Sequence, residues 1–193
     1  MTFRDIIAGD VVPERVDPVI KACLVSKFGE NNVKPEWDVA KESRDALNRV
    51  DYEIPPYCPR IDFAIGPFNI DKRLRHNNKI ISQRFLEFEE FFNELKRKNQ
   101  NEWSPLVTNR NPRCFVAVEV ENRNTDKHMM GSIINASAIG KIGILISSDE
   151  TNYEAMNRIR VYMDFLKRAK KMESYPQNII VVKRSDFIDL FRI

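Results

Sequence analysis

Apolar positions along this chain recur at two periods, and the switches between them mark out the elements. In "VDPVIKACLVSKFG" the residues Val19, Cys23, Leu24 and Phe28 share one helical face, with Asp17 as N-cap, Pro18 at the first helical position and Gly29 past the end. A second helix is expected from about Glu36 to Val50, and the prolines of "YEIPPYCP" then bias the chain towards extended structure. In "RIDFAIG" the period drops to two, so that Ile61, Phe63 and Ile65 face one way and Asp62, Ala64 and Gly66 the other. Residues 67–112 carry no strand pattern, but Ile81, Phe85, Phe88, Phe92 and Leu95 recur at alternating steps of four and three, which predicts one continuous helix. "CFVAVEVEN" is apolar on both faces through Val118, as a central strand buried on both sides should be. After it come a helix, "KHMMGSIINASAIGK", with Gly131, Ala136, Ala138 and Gly140 available for close packing, and the strand "IGILIS". An amphipathic helix from Tyr153 to about Lys171, the strand "NIIVVK" and a short helix capped by Ser185 complete the chain.

This order predicts an α/β fold, a small mixed central sheet flanked by helices in a single domain, with a helical insertion at about 67–112 between two acid-bearing strands. At 193 residues and 42% hydrophobic the chain suffices for one domain with a core of its own. The 31 basic and 28 acidic side chains nearly cancel, so charge alone does not announce nucleic acid. Cys23, Cys58 and Cys114 are far apart and odd in number, which argues for a reduced protein with neither a disulfide framework nor a zinc site. His76 and His128 are the only histidines, without metal-ligand spacing, and no Gly-rich phosphate loop or dinucleotide fingerprint appears. The start, "MTFRDIIAGD", does not read as a signal peptide, and runs such as "IGILI" are too short to cross a bilayer, so the expected location is cytoplasmic, with no membrane partner.

The candidate chemistry lies in "VAVEVEN". Residues two apart on a strand share a face, so Glu119 and Glu121 sit side by side, and like charges that close disfavour each other unless a cation or a shared proton lies between them. Acids at a strand end also read simply as its exit into solvent, paired with Arg123 or Lys127. What favours a site is Asp62, a carboxylate among apolar and small residues on another strand, where an unpartnered charge is costly. Three carboxylates converging from two strands offer the oxygen donors that Mg²⁺ or Mn²⁺ takes.

"PRIDFAIG" followed by "CFVAVEVEN", a helix and an apolar strand resembles the PD-(D/E)xK nuclease superfamily, which has a restriction-endonuclease-like core. The resemblance covers roughly half the chain. It implies a Mg²⁺-dependent endonuclease acting on nucleic acid, most simply DNA, with Asp62 and Glu119 as metal ligands. The third motif position, usually lysine, is Glu121, which on this resemblance ligates a second ion or orients the water; Lys127 on the following helix could stand in for the lysine, or could be a solvated residue pairing with Asp126 or Glu121. Glu14 resembles the acid that many members carry in their first helix. Insertions in this family carry recognition or dimerisation, which leaves a homodimer open. The catalytically silent member of the fold, binding nucleic acid or a protein partner, is the alternative that the missing lysine favours. Separately, Lys72, Arg73, Arg75 and Lys79 lie in a basic loop, "IDKRLRHNNK", that could track a phosphate backbone or could be merely solvated.

Overall fold

The computed structural model describes residues 16–38, 59–68, 74–98, 109, 112–123, 125–172 and 176–191, with the backbone alone for 74–80. Five strands, β1 (Val33–Trp37), β2 (Ile61–Ile65), β3 (Cys114–Glu121), β4 (Gly140–Ser147) and β5 (Ile179–Lys183), form one mixed sheet in chain order. β2 runs antiparallel to both of its neighbours, β1 and β3, and β3, β4 and β5 run parallel. Parallel neighbours need a crossover, supplied by α4 (Asp126–Ile139) between β3 and β4 and by α5 (Glu150–Arg168) between β4 and β5. Among the described residues the other α-helices are α1 (Pro18–Phe28), α2 (Leu74–Glu87), α3 (Glu89–Lys98) and α6 (Arg184–Asp189). The chain is thus α/β, a five-stranded mixed sheet with helices on both faces. Among the described residues no helix is long and apolar enough to cross a membrane.

Two apolar layers cover the sheet. On one face Val116, Val118 and Val120 of β3 and alternate residues of β4 and β5 pack with α1, Ile81, α3 and Phe187. The phenylalanine stripe belongs here: Phe28 lies 4.7 Å from Phe88 and 5.6 Å from Phe91, ring centre to ring centre, and Phe92 meets Phe115 edge-on at 5.7 Å. On the other face Ala64, Ala117, Leu145, Ile179 and Val181 pack under Met129, Ile133 and Ala136 of α4 and Ala155, Met156, Ile159 and Met163 of α5. Alternation along β3 therefore turns Glu119 and Glu121 to the α4–α5 face, with Ala117.

Several expectations are corrected by this arrangement. The helix expected from Glu36 is strand at its start, because Val33–Trp37 pairs with β2; the rest of that stretch lies outside the described residues. Its strand pattern is hidden because Glu36 has φ 48°, which breaks the pleat and sends Val33 and Trp37 into opposite layers. Pro35 is tolerated there because β1 is an edge strand. Ile61, opposite Trp37, packs in the second layer and not with Phe63 and Ile65. The single helix expected over the phenylalanine stripe is interrupted at Phe88, whose amide is shared between the carbonyls of Arg84 at 3.3 Å and Phe85 at 3.2 Å. The basic loop at 70–79 is helical from Leu74, which places Arg75 and Lys79 at the start of α2, while Lys72 and Arg73 lie outside the described residues. The amphipathic helix begins at Glu150, before Tyr153, because Asp149 caps it by accepting from the Asn152 amide at 2.8 Å. Ser185 is inside α6, whose N-cap is Lys183.

The glycines and alanines offered for close packing divide. Ala136 is buried and Ala138 exposed; Gly140 opens β4 directly from the end of α4. A Cβ at Gly140 would stand 2.3 Å from the Ile142 carbonyl oxygen and 2.8 Å from the Ala117 amide, both backbone, so neither can yield. A Cβ at Gly131 would meet nothing within 4 Å. Gly140→Ala is therefore expected to destabilise by about 1–3 kcal/mol. Gly131→Ala should stabilise by about 0.5–1 kcal/mol through helix propensity. Urea unfolding of both variants checks the pair, and the same sign of change in both would contradict the packing described.

Candidate functional site

The site forms where β2 stops pairing with β3. The last ladder pair at that end is Phe63 opposite Val118, so one step further sets Asp62 beside Glu119. There the backbone ladder gives way to a side chain: the Val120 amide donates to Asp62 Oδ2 at 2.8 Å. This bond fixes the aspartate carboxyl against β3. Glu119 is 7% exposed, and its carboxyl lies within hydrogen-bonding reach of Asp62. Burial, and then the negative charge of Asp62, pushes the Glu119 carboxyl up to about 9. Burial also raises Asp62, with the nearby charge of Glu36 adding to it and the Val120 amide opposing it. At neutral pH without a cation the raised Glu119 carboxyl thus keeps its proton, as one of two carboxylates sharing a site does.

Glu121 is also buried and stands close enough that its charge bears on both members of the pair. Its oxygens are anchored elsewhere: Oε1 accepts from the Arg123 amide at 2.8 Å and Oε2 from Ser132 Oγ at 3.0 Å. The expected three-carboxylate cluster is therefore two acids in contact and a third held alongside. Lys127 is exposed, in the first turn of α4. Glu14, like Lys72 and Arg73, lies outside the described residues. Two residues near the acids escape the sequence pattern. Glu36, paired with Arg60 at 3.1 Å, stands on a strand that its own positive φ disguises. Ser132 carries no signal, because eleven residues and a helix start separate it from the glutamate it touches.

The sheet's register sets the surroundings. Glu121, Ser147 and Lys183 stand in one row across β3, β4 and β5, so the acids lie at the carboxyl ends of the parallel strands, where α4 and α5 begin. Arg123, Lys127 and His128 stand exposed on that rim, with Arg123 and His128 in contact at 3.3 Å. The cations that end α5, Lys167 and Arg168 with Lys170 and Lys171 beyond, are a helix length away, about 28 Å for 19 residues. They belong to the opposite end of the molecule.

Among the described residues no three His, Cys, Asp or Glu side chains are grouped to hold a metal ion. The Asp62–Glu119 pair nevertheless fits Mg²⁺ chemically. Both are hard oxygen donors, and Mg²⁺ is commonly bound through one or two carboxylates together with water and substrate phosphate. Comparison with known proteins returns no matching family model, no matching curated protein and no matching solved structure.

Proposed function

We propose that the chain is a divalent-metal-dependent endonuclease that hydrolyses phosphodiester bonds of nucleic acid, DNA in the first instance, on a PD-(D/E)xK, restriction-endonuclease-like fold. The observation that carries this reading is that half-buried Asp62 and buried Glu119 are set side by side, within hydrogen-bonding reach, at the junction of an antiparallel and a parallel strand pair. Two carboxyls in contact at 7% exposure for the glutamate are unfavourable as an isolated charged pair, and a cation relieves the repulsion that a shared proton otherwise relieves. A bound divalent cation would supply positive charge at the phosphate under attack and make water a better nucleophile.

The chain's own residues have separable parts in this. Asp62, steadied by the Val120 amide, and Glu119 would hold the ion. Glu121 occupies the position where the resembled family usually has lysine, and Lys127 is the exposed lysine nearest to it along the chain. Arg123 and Lys127 on the rim would meet phosphates without reading base sequence. Glu121 in the lysine position favours a second reading, a catalytically silent module of the same fold that binds nucleic acid or a protein.

Supercoiled plasmid and a single-stranded oligonucleotide incubated with the purified chain decide between them. Cleavage in Mg²⁺ or Mn²⁺ that EDTA abolishes is the expected result. Binding without cleavage of either substrate in any divalent ion would replace the nuclease with the silent module.

A further inference from the structure

We propose that Ser132 of α4 is a positioning residue that holds Glu121 beside the Asp62–Glu119 pair, a role that rests on the nuclease reading above. Glu121 ends β3, where a side chain of this length would ordinarily sample several rotamers in water. Here it is 7% exposed and clamped from two directions. The Arg123 amide, two residues along the chain, donates to Oε1 at 2.8 Å, and the Ser132 hydroxyl, from the next helix, donates to Oε2 at 3.0 Å. A carboxylate offers about four lone-pair sites, so this clamp fixes the plane of the group and leaves acceptor capacity on both oxygens.

The serine is spent unusually for its place. A hydroxyl inside a helix commonly bonds back to the carbonyl four residues earlier, which here would be that of His128. Ser132 instead reaches across to the sheet. It thereby ties α4, which packs over β3 through Met129, Ile133 and Ala136, to the one acid on that strand that Asp62 does not touch. Alternation puts Glu121 on the same face as Glu119, so the clamp fixes a third carboxylate on the face where the pair stands. The Arg123 amide alone constrains one oxygen and leaves the carboxyl free to turn about it. The second donor removes that freedom, and misplacement by about 1 Å at such a site costs about 10²-fold in rate.

The test compares wild type, Ser132→Ala and Ser132→Thr by single-turnover cleavage of supercoiled plasmid in Mn²⁺, by plasmid affinity measured in Ca²⁺, and by thermal unfolding. Ser132→Ala is expected to slow cleavage about 10- to 100-fold with affinity unchanged, and Ser132→Thr, which keeps the hydroxyl, to recover most of the rate. Cleavage by Ser132→Ala at the wild-type rate would overturn the positioning role and leave the nuclease intact. So would a loss that threonine does not restore, or one that tracks a lowered melting temperature, because either marks a packing effect. A wild-type chain that cleaves nothing would overturn the nuclease reading first and the role of Ser132 with it.

Discussion

Asp62→Asn and Glu119→Gln are each expected to abolish the heat of Mn²⁺ binding and to slow metal-dependent cleavage by at least about two to three orders of magnitude. Each variant keeps the size and hydrogen-bonding shape of the side chain and removes the charge. In Glu119→Gln the new side-chain amide can still donate to Asp62 in place of the shared proton, so the fold should persist. What disappears is half of the hard-oxygen donor set and the charge that holds a cation against the phosphate. Metal stabilisation of developing charge contributes several kcal/mol, and each 1.36 kcal/mol is about tenfold in rate. Isothermal calorimetry beside single-turnover cleavage reads both quantities. Equal Mn²⁺ binding by wild type and Asp62→Asn, or binding by neither, would mean that the pair holds a proton and nothing else.

The second large effect concerns stability against pH in the absence of divalent ions. Glu119 titrates near its ordinary 4.5 in the unfolded chain and at about 9 in the fold, so between those values the native state keeps a proton that the unfolded state has lost. Stability must then fall as pH rises through that window, by about 1.4 kcal/mol per pH unit for one group, and level off above about 9. Asp62, also raised, acts in the same direction. Asp17 works oppositely: its hydrogen bond from Arg184 holds its carboxyl below the usual range, so the stability it contributes is present at neutral pH and lost in acid. Comparing wild type with Glu119→Gln isolates the pair. In EDTA the glutamine variant should match wild type near pH 4 and exceed it increasingly towards pH 9, and saturating Mn²⁺ should close the gap for wild type alone. Denaturation curves at pH 4, 7 and 9 measure this, and parallel pH profiles for the two chains would show that no proton is held.

Much of the fold was legible because it depends on local pattern. Asp17 caps α1 by accepting from the amides of Val19 and Ile20, as a residue before Pro18 should. β3 is buried on both faces, as its uninterrupted apolar run requires, and the alternation of "RIDFAIG" puts Phe63 and Ile65 in one layer and Ala64 in the other. Where backbone geometry departs from its common values the pattern fails. One positive φ at Glu36 concealed a whole edge strand, and the shared amide at Phe88 ended a helix whose side-chain spacing runs on unbroken.

The same division holds at the site. The sequence by itself determined that Glu119 and Glu121 share one face of their strand and that Asp62 shares a face with Ala64, because a strand's period of two follows from covalent geometry. Only the tertiary structure decided that Asp62 lies against Glu119 and not Glu121, because a shift of one residue in register would have brought different side chains together, and register is set by how the whole sheet packs. It alone joined Ser132 to Glu121 and Arg184 to Asp17, pairs separated by eleven and 167 residues. Nothing local in the chain encodes those contacts. They exist because two apolar layers, each drawn from distant segments, can be buried together in one arrangement, and the polar groups at their borders must then find partners among whatever that arrangement brings near.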